Sequence, residues 1–378
     1  MTAPSPRPAR RLGEIRPSPI RVLSEGAPTD AIPLGLGEPT WELPATARAA
    51  LADLPAVCAY GPNAGLTELR AAIADFHAAQ PAEVMITCGS QGALFSLFLA
   101  WLEPGDVVLA PDPGFPAYPV LARLTGAEVR TYSLDAARGF ALDPAALVAT
   151  LHQTPKAKIV VINHPSNPTG GGADREALTV VAEACAAAGV LLISDEVYRD
   201  LYFGPRPPSL RDVWNGGVVL SSVSKGWGAP GLRVGWAVGP EAWLAPARTV
   251  HAFAVTAAAL PSQYAALALL RASDSVLAAA RLELIRRWDA VSSAALQHLG
   301  IPFDPPAGAF YLWLPLPPGV QDPMAFCLRL RDEGKVVVVP GATFGPAGAG
   351  HVRLSFAAQP GDLIEGLRRL APYWRGQG

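Results

Sequence analysis

The chain is predicted to adopt an α/β fold: a large domain with a mostly parallel central sheet, followed by a smaller α/β carboxyl-terminal domain. Three observations predict it. Short apolar runs alternate with alanine-rich amphipathic stretches from about residue 46 to 250. The segments that follow those runs carry the polar residues capable of chemistry. Beyond about residue 280 the chain changes to a charged helix and short mixed segments. Strand, helix, strand repetition builds a parallel sheet whose ligand site lies at the carboxyl ends of its strands.

The elements follow in order. Leu66, Leu69, Ile73 and Phe76 recur at helical spacing, so residues 67–80 read as a helix. Residues 84–87, 107–109, 158–162, 190–194 and 218–221 are short apolar runs and read as buried parallel strands. Residues 91–101 and 175–188 are of helix length. Then come a charged helix over 281–299, strand-like segments at 310–314, 336–339 and 352–356, and a final helix. The expected organisation is a disordered, Pro- and Arg-rich tail over 1–11, a segment over 12–45 that joins the small domain, a large domain over 46–280 and a small domain over 281–378. The Pro/Gly stretches are turn-sized, and no internal repeat is present.

Composition narrows the class. The chain has 378 residues, enough for two cored domains, and a formal net charge of -2 with no basic cluster beyond the amino terminus, which argues against nucleic-acid binding. Half of the residues are hydrophobic and 16% are charged, so a homo-oligomer is expected. Cys58, Cys88, Cys185 and Cys327 are far apart, with no paired spacing, and the histidines are scattered singly. Neither a disulfide framework nor a metal site is signalled, and a reducing cytoplasm is expected. The amino terminus lacks the apolar stretch of a secretory signal. Between Arg248 and Arg271 lie 22 residues without a charge, but Pro261, His251 and Gln263 interrupt them, so a buried helix after a loop is expected rather than a membrane span.

One lysine stands out. Lys225 follows the apolar run Val218–Leu220 and sits among Ser221, Ser222 and Ser224, where partial desolvation lowers an amine's pKa toward nucleophilic use and Schiff-base formation. Arg233, eight residues on, is read as beginning the next strand, and its guanidinium can hold a phosphate through paired hydrogen bonds. Lysine, hydroxyls and arginine together suggest pyridoxal phosphate. Taken alone, the segment reads equally as a surface turn with Arg233 paired to a carboxylate. Gly226, Gly228 and Gly231 match the dinucleotide spacing, but a strand rather than a helix is expected after them, so no dinucleotide site is inferred.

Further motifs occur in order: Tyr60-Gly61-Pro62-Asn63-Ala64-Gly65, Gly89-Ser90-Gln91-Gly92-Ala93-Leu94, Asn163-His164-Pro165-Ser166-Asn167-Pro168-Thr169-Gly170, Ser194-Asp195-Glu196-Val197-Tyr198, the Lys225 segment, Ala307-Gly308-Ala309-Phe310-Tyr311 and Val352-Arg353-Leu354-Ser355-Phe356. Together, over about residues 12–370, they resemble the class I and II aminotransferases of pyridoxal-phosphate fold type I. The resemblance implies that Lys225 carries pyridoxal 5'-phosphate and moves a proton between the substrate Cα and the cofactor C4'. Asp195 would keep the cofactor ring nitrogen protonated, as a buried carboxylate favours a cation beside it. Tyr198 and Asn167 would donate to the cofactor's phenolic oxygen. The backbone N–H groups of Ser90 and Gln91, the Ser222 and Ser224 hydroxyls and Arg233 would bind the phosphate. Phe115 takes the place of the ring-stacking aromatic, without the hydroxyl many relatives carry there. Tyr60 resembles the tyrosine that reaches the neighbouring subunit's phosphate, which implies a homodimer. Arg353 would clamp the substrate α-carboxylate, with Gly37 and Asn167 beside it.

The implied activity is transamination between an L-amino acid and a 2-oxo acid, with small-molecule partners, no nucleic acid and no membrane. A β-carbon-sulfur lyase of the same fold uses the same lysine, aspartate and arginine and remains a rival. A pyridoxal-phosphate-sensing regulator is set aside because the roughly thirty residues before Leu34 are fewer than a helix-turn-helix module needs. Trp41, Trp227 and Tyr311 are candidates for an apolar substrate pocket or for the core, and no second cation for a distal carboxylate stands out.

Overall fold

In the computed structural model, which describes residues 9–13, 15–57 and 59–375, helix and strand alternate through most of the chain. The helices are α1 (Pro19–Glu25), α2 (Ala45–Ala52), α3 (Thr67–Phe76), α4 (Gly89–Trp101), α5 (Ala117–Thr125), α6 (Pro144–His152), α7 (Arg175–Ala188), α8 (Glu241–Val255), α9 (Leu260–Arg271), α10 (Ser273–Ala294), α11 (Pro323–Asp332) and α12 (Pro360–Trp374). The strands are β1 (Ile32–Pro33), β2 (Val84–Thr87), β3 (Val107–Asp112), β4 (Glu128–Ser133), β5 (Ala157–Asn163), β6 (Leu191–Asp195), β7 (Val218–Ser222), β8 (Gly235–Val238), β9 (Tyr311–Pro315), β10 (Val336–Val337), β11 (Val339–Pro340) and β12 (His351–Ser355). Most of the expected tail, residues 1–8, lies outside the described residues, and Arg10–Leu12 forms a single 3-10 turn.

Seven strands make one sheet in the order β2-β8-β7-β6-β5-β3-β4. The contacts from β4 to β7 are parallel, and β8 runs antiparallel to both of its neighbours. The central strands carry unbroken apolar runs because both faces are covered, and turn polar at their carboxyl ends. Ile159, Val161, Leu191, Ile193, Val218 and Leu220 face a layer containing α4, α5 and α8. Val160, Ile162, Leu192 and Val219 face α6 and α7. The edge strand β4 was not anticipated. Tyr132 is its one fully buried residue, so its mostly polar sequence carries no buried-strand signature.

The second half of the chain builds a three-stranded antiparallel sheet, β11-β12-β9, and β10 pairs in parallel with β1. The expected strand over 336–339 thus divides at Val338 between two sheets. The anticipated boundary near residue 280 falls inside α10, a continuous helix of 22 residues. The charge-free stretch forms α8 and α9, separated near Thr256, whose φ of 63° breaks the helical path. Among the described residues, no helix is long and apolar enough to cross a membrane.

Candidate active site

Several strand ends meet at one cavity of about 610 Å³. Asn163 ends β5, Asp195 ends β6 and Ser222 ends β7; β5 and β6 are in register, so Asn163 stands directly beside Asp195. The turn after β7 supplies Ser224 and Lys225, the start of α4 supplies Ser90 and Gln91, and Phe115 precedes α5. Asn167 and Tyr198 follow β5 and β6, Gly37 comes from the amino-terminal segment, and Arg353 lies on β12. All of these line the cavity, as does Arg233. Tyr60 alone among the anticipated residues does not: it is 90% exposed on this chain.

Asp195 is buried, and its Oδ2 accepts a 2.8 Å hydrogen bond from the Tyr118 hydroxyl. Burial pushes its carboxyl up to about 6, against the opposing pull of the Tyr118 bond, the Val197 N–H and Lys225. A carboxylate held in that state gains from a cation placed beside it. Lys225 Nζ donates to Gly37 O at 2.5 Å and lies 5.7 Å from the ring centroids of both Tyr198 and Phe310. Burial, reinforced by the Arg353 charge, lowers its ammonium to about 8. That leaves an appreciable neutral fraction near neutral pH, as a nucleophile requires.

Arg353 is almost fully buried in the middle strand of its sheet. Its guanidinium donates to Asn167 Oδ1 at 2.7 Å and to Gly35 O at 2.6 Å, and stacks over Tyr311 and Phe344 at 4.5 and 4.7 Å. Its Nε has no partner among the described residues. A buried charge fixed in this way, with a donor to spare, is suited to binding a carboxylate.

The strand expected to begin at Arg233 is corrected at its start. Pro230–Leu232 is a 3-10 turn, Arg233 has a left-handed φ of 54°, and β8 begins only at Gly235. The turn places Arg233 against the first turn of α4. A Cβ on Gly89, whose φ is +75°, would stand 2.4 Å from Arg233 Nη2, so glycine is required for this approach. A guanidinium, the N–H groups at the start of a 13-residue helix and the hydroxyls of Ser90, Ser222 and Ser224 line this end of the cavity, a donor set able to bind a phosphate. With the raised carboxyl of Asp195 and the lowered amine of Lys225, this donor set fits pyridoxal phosphate.

The sequence reading missed the Tyr118 contact and gave no hydrogen-bonding role to Asn163 or Tyr311. Tyr118 contacts Asp195, and its only sequence signal is its place one helical turn beyond Phe115. Asn163 donates to Asp195 O at 2.9 Å and accepts from the Asn167 N–H at 2.8 Å, which fixes the loop between them. The Tyr311 hydroxyl shares a 2.6 Å hydrogen bond with that of Tyr198. Of the candidate pocket aromatics, only Tyr311 lines the cavity; Trp227 is buried in the core beside α3 and α9.

Comparison with known proteins agrees with this geometry. Residues 29–370 match the family model "Aminotransferase class I and II". The LL-diaminopimelate aminotransferase of Desulforudis audaxviator is 33% identical over 335 residues, covering 84% of this chain and 83% of that protein. The aspartate/prephenate aminotransferase of Thermus thermophilus is 33% identical over 322 residues, covering 82% of each. The solved N-succinyldiaminopimelate aminotransferase of Mycobacterium tuberculosis superposes with a TM-score of 0.89 at 29% identity, over 97% of this chain and 99% of that one. The chain belongs to the class I and II aminotransferases, pyridoxal-phosphate-dependent enzymes of fold type I.

Proposed function

We propose that this cavity carries out transamination of an L-amino acid, with Lys225 as the catalytic amine, Asp195 and Tyr198 as the groups that tune the cofactor, and Arg353 as the carboxylate clamp. The observation that carries the reading is the convergence of Lys225, Asp195 and Arg353, from separate segments, on one cavity. Bound pyridoxal phosphate supplies an electron sink that makes the substrate α-proton acidic. The protein's own part is binding, orientation and proton transfer. Ser90, Gln91, Ser222, Ser224 and Arg233 would hold the phosphate, Phe115 would support the ring by stacking, Asp195 would keep the ring nitrogen protonated, and Tyr198 and Asn167 would donate to the phenolic oxygen. Arg353, with Gly37 and Asn167 beside it, orients the substrate through its α-carboxylate. Lys225 Nζ, neutral when released, takes the proton from Cα as general base and gives it up again as general acid.

The reading includes a cytoplasmic homodimer in which Tyr60 completes the partner's phosphate site. It is supported by the exposure of Tyr60, Val57 and Phe253 at 90%, 76% and 91%, large apolar surfaces that association would cover, and by free thiols at Cys88, Cys185 and Cys327. Mixed dimers of Tyr60→Ala and Lys225→Ala chains should recover activity that neither variant has alone. Their failure to do so would remove the shared site.

The direct test follows the visible spectrum of the cofactor-loaded enzyme while L-amino acids are added singly, without an oxo acid. The expected result is loss of the visible band of the lysine-bound cofactor, with oxo acid formed in stoichiometric amount. Continuous release of pyruvate from a β-substituted amino acid, with no need of an oxo acid, would replace transamination by elimination.

A further inference from the structure

Among the described residues, the cavity is lined by five cationic side chains, Arg16, Arg21, Lys225, Arg233 and Arg353, against the single carboxylate of Asp195. Like charges gathered in a partly enclosed space repel one another unless bound anions compensate them. Under the proposed roles, Arg233 meets the phosphate, Arg353 meets the substrate α-carboxylate and Lys225 works as a neutral amine. Arg16 and Arg21 have no anion assigned.

Both come from the segment that spans the cavity mouth. The Arg10–Leu12 turn packs on α5, and α1 packs on β11 and α11. Ile20, next to Arg21, packs against Trp313, Val339 and Phe344, and the Phe344 ring lies 4.7 Å from the Arg353 guanidinium. Arg21 therefore belongs to the carboxylate-clamping end of the cavity, away from the phosphate end formed by Gly89 and Arg233. Arg16 Nη1 donates to Gly13 O at 3.1 Å. Among the described residues, the Arg21 side chain makes no hydrogen bond and no ion pair, including with Glu25 one turn along the same helix.

From this arrangement we infer that Arg21, assisted by Arg16, is the specificity-determining residue that binds a second, distal carboxylate, so that 2-aminodicarboxylic acids are the preferred substrates. The inference rests on the transamination reading of the same cavity. A planar guanidinium pairs with a carboxylate through two parallel hydrogen bonds, whereas an apolar side chain at that point leaves the charge uncompensated, and this difference discriminates between substrates. Arg21 lies on an exposed helical surface, so its replacement leaves the core intact.

The test compares wild type with Arg21→Gln, Arg21→Lys and an Arg16→Gln/Arg21→Gln double variant, all cofactor-loaded. The first readout is the ratio of kcat/KM for L-glutamate to that for L-leucine. The second is the calorimetric affinity for glutarate and butanoate, which do not react. In Arg21→Gln the kinetic ratio is expected to fall about tenfold, mainly through KM for glutamate, as loss of a charge-assisted bidentate contact dictates. Glutarate should lose affinity relative to butanoate, and Arg21→Lys should restore part of both. An unchanged ratio together with unchanged glutarate affinity in the double variant would overturn the subsite while leaving transamination standing. Arg21-dependent glutarate binding in a protein that turns over no amino acid would keep the subsite and overturn transamination alone.

Discussion

The Tyr118 hydroxyl donates a 2.8 Å hydrogen bond to Asp195 Oδ2, joining the first turn of α5 to the end of β6 in a site where both side chains are buried. The bond stabilises the ionised carboxylate against the cost of its burial. Under the proposed roles, it makes Tyr118 a positioning residue for the carboxylate that would hold the cofactor nitrogen protonated.

Tyr118→Phe should therefore raise the Asp195 pKa further and weaken cofactor binding by about tenfold, in line with roughly 1.5–3 kcal/mol for a hydrogen bond to a charged group. Titration of the apoprotein with pyridoxal phosphate, followed by tryptophan fluorescence, measures it. Affinity equal to that of the parent would show that the bond does not support Asp195.

Asp195 also links stability to pH in the cofactor-free protein. Its folded value of about 6 lies above the ordinary 3.8, so the unfolded chain ionises first as pH rises. The ionised, buried group costs stability fully above about pH 6, and the cost disappears as pH falls to about 4. Asp195→Asn apoprotein should be more stable than the parent at pH 8, by up to about 3 kcal/mol, and equal to it near pH 4. Urea denaturation at the two pH values checks this, while the loaded variant should lose activity.

Lys225 reports through the kinetics of cofactor capture. Its ammonium is lowered to about 8, chiefly by burial, so the reactive neutral amine accumulates as pH rises through that value. The rate at which the apoprotein develops its visible band with pyridoxal phosphate should climb between pH 7 and 9 and then level. A rate that does not change over this range would contradict the lowered value. Lys225→Ala should keep the far-UV circular dichroism of the parent and show no turnover.

Arg353→Lys tests the clamp. A lysine keeps the charge but cannot reproduce the fork that reaches both Asn167 Oδ1 and Gly35 O. kcat/KM should fall about 100-fold or more for every amino-acid substrate, because the α-carboxylate is common to all of them. A loss confined to one side-chain class would move Arg353 from the α-carboxylate to the distal end.

The fold was legible where one local signal sufficed. The unbroken apolar runs Ile159–Ile162 and Leu191–Ile193 read as two-sided buried strands because both of their faces are covered. The polar, one-sided edge strand Glu128–Ser133 carries no such signal, and the backbone at Arg233 escapes detection because a single left-handed residue after a 3-10 turn leaves no periodic trace.

By itself the sequence determined the α/β order, the approximate places of the central strands and the family motifs that contain Lys225, Asp195 and Arg353, since turn residues and hydrophobic periods are written in contiguous residues. Tertiary structure alone decided that Tyr118 meets Asp195, 77 residues away, that Gly37 O receives the Lys225 ammonium across 188 residues, and that Arg21 reaches the cavity mouth. Such contacts depend on how whole layers pack, and the summed burial of many distant side chains sets that geometry, with no local pattern to announce it.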